Sequence, residues 1–387
     1  MPSFDLNDPK GRADALEWQK QVLHVQDEAK RAFRAEQSGS TTLPEILTLR
    51  ERLARPRKET VWRIDQLQRA GHRVFFTAQF KAGKTTLAAN LVRSVLDGDQ
   101  FLDTFKTTVI DGTLALFDFE MDGDQLDDWY RDQKIQHDDR LVVFPMRGAA
   151  TLFNILDKDV LHYWVELLKA RGVKYLILDC LRPVLDALGL NEHTEVGLFL
   201  TPFDALLREA NIPEAVVVQH MGHQGERARG DSRQLDWPDA TWKMTREKAK
   251  DGEVDPAAPR FFSAYGRDVD VPETQLVYDA KTRRLALLVS GDGQGSSRAD
   301  AKSRAAMDAI YQFVSTAEDA PSGVEIQKAV MPRGHTQANV REALRDAVTS
   351  GVLVEGKGKN GGKAYSAAGL HVEPGFLDSL KLGKSGI

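Results

Sequence analysis

Short, continuous apolar runs that alternate with helical stretches constrain this chain more than any other feature of its sequence. The runs lie at 74–77, 114–117, 141–144, 175–178 and 215–218. Runs that are apolar at consecutive positions are typical of strands buried on both faces. The helices predicted between them span 84–96, 160–170 and 196–210. This alternation predicts an α/β core with a mostly parallel sheet covered by helices.

Four later runs follow one another without long helices between them, at 241–245, 260–264, 275–278 and 285–289. Strands joined by short connections are commonly antiparallel neighbours, so we expect these four to be antiparallel additions to the sheet. The predicted core then covers residues 61–290, and its sheet is mixed.

The N-terminal segment, residues 1–60, is predicted to be helical. Its apolar side chains recur at three- and four-residue steps, which is the period of one helix face: Trp18, Val22, Val25, Ala29 and Phe33. A second helix is predicted near 44–54. The first interpretation of the apolar stripe is a helical cap on the same subunit, and an arm that packs on a neighbouring subunit is the alternative.

A glycine- and serine-rich stretch marks a boundary near residue 290, and we predict a linker at 291–300. Beyond it, helices are predicted around 305–316, 324–330 and 337–350, followed by a basic, glycine-tipped hairpin at 352–365. Three helices and a two-stranded ribbon predict a winged helix-turn-helix domain over 301–370. Residues 371–387 form a tail.

Composition narrows the class of protein. A chain of 387 residues suggests two or three domains, and a net charge of −5 argues against a uniformly basic nucleic-acid binder. Cys180 is the single cysteine, so no intramolecular disulfide can form. The first residues lack the features of a signal peptide, and no apolar run approaches the roughly 20 residues of a membrane span. We therefore expect a cytoplasmic protein that does not interact with membranes.

The run Ala78-Gln79-Phe80-Lys81-Ala82-Gly83-Lys84-Thr85 lies between the first buried strand and the first helix. A turn in this position directs backbone N–H groups and the helix dipole at one anion, which is how P-loops hold phosphate. Lys84 is predicted to reach the outer phosphates, and Thr85 to bind Mg²⁺. Thr86 extends the polar start of the helix. Ala78 replaces the usual first glycine, and an ordinary strand-to-helix turn is the alternative.

Three polar residues end later strands. Asp179 closes the run 175–178, at the sheet edge where phosphates bind in such folds, and is predicted to help hold Mg²⁺. Glu120 follows the run 114–117 and is predicted to orient the attacking water or accept its proton. His220 follows 215–218 and is predicted to sense the outer phosphate. A helix cap or salt bridge for Glu120, and a structural role for His220, are the alternatives.

Together these segments resemble the RepA-like branch of RecA-fold AAA-type ATPases, which includes hexameric replicative helicases of plasmids and phages. The resemblance rests on AGKTT, FDFE, LILDCLRP, GLNEH, VVVQHMGH and the RGDS at 229–232, and it covers roughly residues 60–290. It implies nucleotide and metal contacts for Lys84 and Thr85, a catalytic carboxylate at Glu120, a metal ligand at Asp179 and a coupling role for His220.

The resemblance also implies an arginine that reaches into the neighbouring subunit's site, where the family has Lys-x-Arg on a late strand. The corresponding stretch here is Tyr265-Gly266-Arg267, so Arg267 is predicted to be the arginine finger, with Arg246 as the second choice. An arginine supplied across an interface requires an oligomer, and the family implies a hexameric ring.

Two regions are predicted to bind DNA. The glycine-rich loop 221–234 carries Arg227, Arg229 and Arg233, which would hold single-stranded DNA by its phosphates in a ring's channel; a solvated surface loop is the alternative. The second region is the winged helix, which would contact duplex DNA or, alternatively, a protein. Its candidate residues are Gln337, Asn339, Arg341, Arg345, Lys357, Lys359 and Lys363.

These features predict an ATP-dependent, ring-forming DNA motor, a replicative helicase of a plasmid, phage or similar element. A DNA-binding initiator or regulator, in which ATP only switches assembly, explains the same motifs without unwinding. A recombinase-like filament former is a third possibility.

Overall fold

The structure is a computed structural model that describes residues 8–37, 45–56, 59–79, 81–192, 194–221, 236–247, 258–289, 295–358 and 361–368. These residues fall into two compact units, residues 1–59 and residues 60–387. Several predicted features lie outside the described residues: Phe80, Lys359, the C-terminal tail, and residues 222–234 of the loop predicted to hold single-stranded DNA, which include Arg227, Arg229 and Arg233.

The first unit contains helices α1 (Pro9–Gln37) and α2 (Leu49–Leu53). The second helix is shorter than the predicted 44–54, because Thr48 begins it as a cap. The Thr48 side chain accepts a hydrogen bond from the Glu51 backbone, and the Glu51 side chain accepts one from the Thr48 backbone. This reciprocal capping box satisfies two otherwise unpaired N–H groups and fixes the start of the helix.

The second unit is built on a nine-stranded sheet with the order β11-β10-β9-β8-β3-β7-β6-β4-β5. Its strands are β3 (Arg73–Ala78), β4 (Thr113–Asp118), β5 (Leu141–Pro145), β6 (Val173–Asp179), β7 (Glu214–His220), β8 (Ala240–Arg246), β9 (Arg260–Gly266), β10 (Asp270–Asp279) and β11 (Arg284–Leu287). A small hairpin of β1 (Trp62–Ile64) and β2 (Gln68–Arg69) precedes them. The predicted mixed α/β core with a mostly parallel sheet is confirmed.

Helices cover both faces of the sheet. They are α3 (Lys84–Asp97), α4 (Gly123–Gln133), α5 (Lys158–Ala170), α6 (Leu181–Ala187) and α7 (Val196–Glu209), with short 3-10 turns at Asp138–Arg140 and Ala150–Phe153. Leu87 and Leu91 of α3 pack in one apolar cluster with Trp242. Phe199 and Phe203 of α7 pack in a second cluster with Phe75. Successive strand residues point to opposite faces, so the continuous apolar runs supply both clusters.

One strand direction was predicted wrongly. Strand β8 is parallel to β3, with Ala78 opposite Met244, and it is antiparallel only to β9. The connection from β7 to β8 therefore returns the chain to the opposite edge of the sheet, and the antiparallel additions begin at β9. As a result, the carboxyl end of β8 lies at the same sheet edge as the carboxyl end of β3.

The C-terminal region contains α8 (Arg298–Thr316), α9 (Gly323–Val330), a 3-10 turn at Met331–Arg333, α10 (Gln337–Thr349) and a hairpin of β12 (Leu353–Lys357) with β13 (Lys363–Ala367). Helix α8 begins inside the predicted linker 291–300, because Ser297 caps it by exchanging hydrogen bonds with Asp300. The order of elements is that of the predicted three helices and ribbon. Its assignment as a winged helix remains a prediction.

Helix α8 is attached to the core sheet by charged side chains. Arg298 forms a salt bridge with Glu273 of β10, donates a 2.6 Å hydrogen bond to the Thr245 hydroxyl of β8 and stacks on Phe261. Lys302 adds a salt bridge to Glu247 at 3.3 Å. The first turns of this helix are therefore bonded to the end of β8. Among the described helices, none combines the length and apolar character needed to span a bilayer.

Candidate functional site

The phosphate loop joins β3 to α3 at the carboxyl edge of the sheet. Ala78 is the last residue of β3 and pairs with His220 on one side and Met244 on the other. Its extended conformation suits alanine, so the missing first glycine causes no backbone strain at this position. Two later loop residues have positive φ, Lys81 at 56° and Gly83 at 110°.

Gly83 is the position at which the loop needs glycine. Its φ of 110° is one that other residues rarely adopt, and a Cβ there would lie 3.3 Å from the Met244 side chain. Gln79 fixes the start of the loop against β8, because its backbone N–H donates to the Met244 carbonyl at 3.1 Å and its side chain accepts from the Arg246 N–H at 2.7 Å. The loop is therefore held to the sheet on its β8 side.

Lys84, the first residue of α3, is 8% exposed and extends toward β7. Its Nζ lies 3.0 Å from the His220 ring and 3.5 Å from Glu120 Oε2. His220 Nε2 and Glu120 Oε1 are 3.0 Å apart. The structure thus brings together three of the residues predicted to act on the outer phosphate, from three separate elements.

Glu120 is positioned by the turn that follows β4. The Asp118 carboxylate accepts hydrogen bonds from the backbone N–H groups of Glu120 and Met121, at 2.9 and 2.7 Å. The turn continues next to β6, where the Phe119 N–H donates to the Asp179 carbonyl at 2.7 Å. Asp118 therefore holds the turn that carries the predicted catalytic carboxylate.

The site contains carboxyl groups in contrasting electrostatic states. The hydrogen bond from His220 is the main cause that lowers the pKa of Glu120 to about 2, and Lys84 adds to it. Burial raises the pKa of Asp179 to about 8, with further increases from Asp118 and Glu120. Burial also raises the pKa of Asp118. The buried acids would gain stability from a cation placed between them.

The Thr85 and Asp179 pair fits the predicted Mg²⁺ site. Asp179 is 1% exposed, and its Oδ1 has no hydrogen-bond partner among the described residues. The Thr85 hydroxyl is a neighbour of this carboxyl group and acts to lower its pKa, against the effect of burial. A hard cation such as Mg²⁺ prefers oxygen ligands of these two kinds. The orphaned carboxylate oxygen and the adjacent hydroxyl are therefore suitable donors for that ion.

Sequence reasoning missed Cys180 and Asp118 as members of this cluster. The Cys180 Sγ lies 3.3 Å from Glu120 Oε1, and Glu120, Cys180 and His220 place one potential ligand atom each within 4.8 Å of one another. Burial raises the pKa of the Cys180 thiol, which keeps it protonated. Asp118 had a visible signal, because it precedes Glu120 by two residues in the same FDFE segment.

Arg267 and Arg246 lie at opposite ends of the sheet. Arg267 is exposed and follows Gly266, which pairs with Ala240 at the start of β8, far from the phosphate loop of the same subunit. Arg246 is 7% exposed and lies at the end of β8, next to Gln79. Thr86 is buried in the first turn of α3, and Lys81 and Ala82 lie in the loop itself.

The predicted DNA-contact residues of the C-terminal region are on its surface. Gln337, Arg341, Lys357 and Lys363 are exposed. Lys363 forms a 2.8 Å salt bridge with Glu355, and the Gln337 amide donates to Gln327 at 3.2 Å. Part of the positive charge of the hairpin is therefore already paired within it.

Comparison with known proteins agrees with the geometry of the core. Residues 40–226 match a family model described as an AAA domain. No curated protein matches the chain. Among solved structures, a KaiC-like protein from the hyperthermophilic archaeon Pyrococcus horikoshii is similar at 13% identity with a TM-score of 0.39, over 57% of this chain and 90% of that one. The likeness is distant. The family match and the site together support a P-loop ATPase core, a fold that implies nucleotide binding, usually with Mg²⁺.

Proposed function

We propose that this protein is an ATP-hydrolysing, ring-forming DNA motor, a replicative helicase of a plasmid, phage or similar element that acts in the cytoplasm. The proposal depends on one observation: Lys84, Glu120 and His220 meet at the sheet edge where Asp179 and Thr85 also lie. A phosphate-binding lysine, a carboxylate for water and a metal-binding pair are the parts that ATP hydrolysis requires.

Lys84 makes contacts that a nucleotide would replace. Its ammonium group neutralises Glu120 in this structure, and it would turn to the outer phosphates when ATP binds. Glu120 would then lose one of the charges that lower its pKa and become a better acceptor for a proton from water. His220 contacts both residues, so it is placed to register the exchange.

Thr85 and Asp179 would hold Mg²⁺, which neutralises charge on the phosphate oxygens when it is bound. Asp179 must be ionised for this role, and the raised pKa of its carboxyl group makes metal binding compete with a proton. The side chains of this site thus link nucleotide, metal and proton occupancy.

A ring-forming DNA motor also requires neighbouring subunits and a site that binds DNA. Arg267 is exposed at the sheet edge opposite the phosphate loop, so it is available to a neighbouring subunit and not to its own site. An arginine provided in this way is worth about 10³- to 10⁵-fold in rate in other systems. We propose a hexameric ring with single-stranded DNA held by Arg227, Arg229 and Arg233, and duplex DNA met by the C-terminal region.

The domain organisation proposed with this function is a helical N-terminal segment, an ATPase core of about 61–290 and a C-terminal winged helix. In that arrangement the exposed Gln337, Arg341, Lys357 and Lys363 would face duplex DNA, together with Lys359.

The test is displacement of an annealed strand from a forked DNA by the full-length protein with ATP and Mg²⁺. The wild type should unwind, and Lys84→Ala should lose both unwinding and hydrolysis. Arg208→Gln, a surface change on α7, is the matched control and should keep both. ATP-dependent binding to one duplex sequence without displacement would instead identify an initiator or regulator, and electron microscopy would distinguish rings from filaments.

A further inference from the structure

Two arginines without carboxylate partners lie beside the phosphate loop, on the side away from Glu120. Arg246 ends β8, and Arg260 begins β9 directly opposite it in the register of the two strands. Neither guanidinium forms a salt bridge within the part of the chain that the structure describes. Arg246 is 7% exposed, and its Nε has no hydrogen-bond partner among the described residues.

Strand alternation shows where these side chains point. Arg246 has the same parity on β8 as Met244, whose side chain approaches Gly83. Arg260 is directly across from Arg246, so both side chains are on the face of the sheet that α3 covers. The position of Arg260 agrees, because its Nη1 lies 3.8 Å from where a Cβ on Gly83 would be.

The two guanidinium groups lie close together in surroundings that disfavour the charged form of Arg260. Burial lowers the pKa of Arg260, and the charge of Arg246 lowers it further. The Arg260 guanidinium stacks on the Tyr278 ring at 5.1 Å from its centroid, which fixes its direction without neutralising it. A buried arginine beside a second, half-buried arginine is normally accompanied by a counter-charge, so this pair is suited to an anion that binds from outside.

Glu120 and the two arginines lie on opposite sides of the loop, which indicates which phosphates the arginines would bind. Lys84 and Glu120 mark the hydrolysed end of the nucleotide on the β7 side of β3. Strand β8 lies on the other side of β3. In the proposed ATPase, the phosphates that are not cleaved would then extend toward β8.

We propose that Arg246 and Arg260 bind the non-cleaved phosphates of the nucleotide in their own subunit, so that Arg246 is a phosphate-binding residue in cis and not an arginine finger. The inference depends on the proposed ATPase function. It assigns nucleotide affinity to β8 and β9, and hydrolysis to the residues around Glu120. Both ADP and ATP carry these phosphates, so the pair should bind both.

The test compares Arg246→Gln, Arg260→Gln and Arg260→Lys with the control Arg208→Gln, by calorimetric titration of ADP and GDP with Mg²⁺ into the full chain. Charged hydrogen bonds to phosphate predict a Kd about ten- to a hundredfold higher for each Gln variant, with ADP and GDP affected alike. Arg260→Lys should retain part of the affinity. The rise in Kd should exceed the fall in kcat at saturating ATP, because the pair contacts phosphates that are present before and after cleavage.

Thermal unfolding without nucleotide gives a second readout. A structural arginine pair would lower Tm when one member is removed, whereas relief of repulsion between two unpaired cations should leave Tm unchanged or raise it. An unchanged ADP Kd in both Gln variants would overturn the proposal. The proposal would also be overturned if an arginine variant lost kcat and regained it in mixed oligomers with Lys84→Ala subunits. The Lys84→Ala subunit keeps both arginines, so recovery would mean that an arginine acts in trans.

The outcome is separable from that of the proposed function. If the wild type binds no nucleotide, both fail; if it binds ADP and hydrolyses ATP while Arg260→Gln binds ADP equally well, only the arginine assignment fails.

Discussion

The two sides of the phosphate loop differ in how their charges are balanced. On the β7 side, Lys84 lies between the His220 ring and the Glu120 carboxylate, and Asp118 and Asp179 add further buried acid. On the β8 side, Arg246 and Arg260 lie together, and neither forms a salt bridge with a carboxylate of the described residues. Acid-rich surroundings suit a metal ion and a reacting water, whereas unpaired cations suit an anion that stays bound. The contrast assigns ATP hydrolysis to the residues on the β7 side and nucleotide binding to those on the β8 side.

The largest expected effect is on the β7 side. Glu120→Gln keeps the size of the side chain but removes the charge that would orient or deprotonate water. We expect kcat to fall by about 10²- to 10³-fold, a typical loss for one preorganised group. ADP affinity should change little, which calorimetry would check beside a steady-state ATPase assay. A variant that loses ADP affinity as strongly as Arg260→Gln would abolish the distinction between the two sides.

A second effect depends on pH. Asp179 has a pKa of about 8 because it is buried near other acids, and only its ionised form would hold Mg²⁺. Metal binding then releases a proton, so the Mg²⁺ affinity should rise by up to about tenfold per pH unit below pH 8 and level off above it. The measurement is Mg²⁺-dependent nucleotide binding between pH 6 and 9.

Asp179→Asn is the control for that experiment, because an amide does not titrate. It should bind Mg²⁺ weakly and with little pH dependence. The free energy of unfolding depends on pH with the opposite sign to the Mg²⁺ affinity. A buried acid whose folded pKa is raised stabilises the fold at low pH, and this contribution is lost as pH rises through about 8. A pH slope that survives in Asp179→Asn would assign the titration to another group.

The smallest expected effect is at Tyr278, on the β8 side. Tyr278→Leu removes the ring that directs Arg260 but leaves both arginines in place. A cation–π contact at a partly exposed site contributes about 0.5–1 kcal/mol, so the ADP Kd should rise about two- to fivefold. Its kcat should match the wild type. A large drop in kcat would mean that β9 and β10 contribute to the reaction itself.

Local patterns located the residues that meet on the β7 side, but they did not locate the arginine pair on the β8 side. Lys84 is identified by its position after a strand and before a helix, and Asp179 and His220 by their positions at the ends of apolar runs. The pairing of Arg246 with Arg260 depends instead on the register of two strands and on β8 being parallel to β3. Neither property can be recognised in a short segment of the sequence. The short connections between the later strands suggested antiparallel neighbours.

The start of α8 was misplaced for a similar reason. A glycine- and serine-rich run indicates a linker, but Ser297 and Asp300 within the predicted range form a capping box that begins a helix. Capping residues have the same composition as loop residues, and only their spacing separates the two. The Ser297 and Asp300 spacing would have moved the predicted helix start from 305 to 298, seven residues earlier.

The attachment of α8 to the core has a consequence for any partner of the C-terminal region. Arg298 ties this helix to Thr245, the residue next to Arg246, from the opposite face of the same strand. A displacement of the end of β8 on nucleotide exchange would therefore displace the helix. A ligand that displaces the helix would in turn displace the end of β8. Thermodynamic linkage requires the two influences to be equal in free energy. We thus expect a partner that binds the C-terminal region to change the affinity of the core for nucleotide.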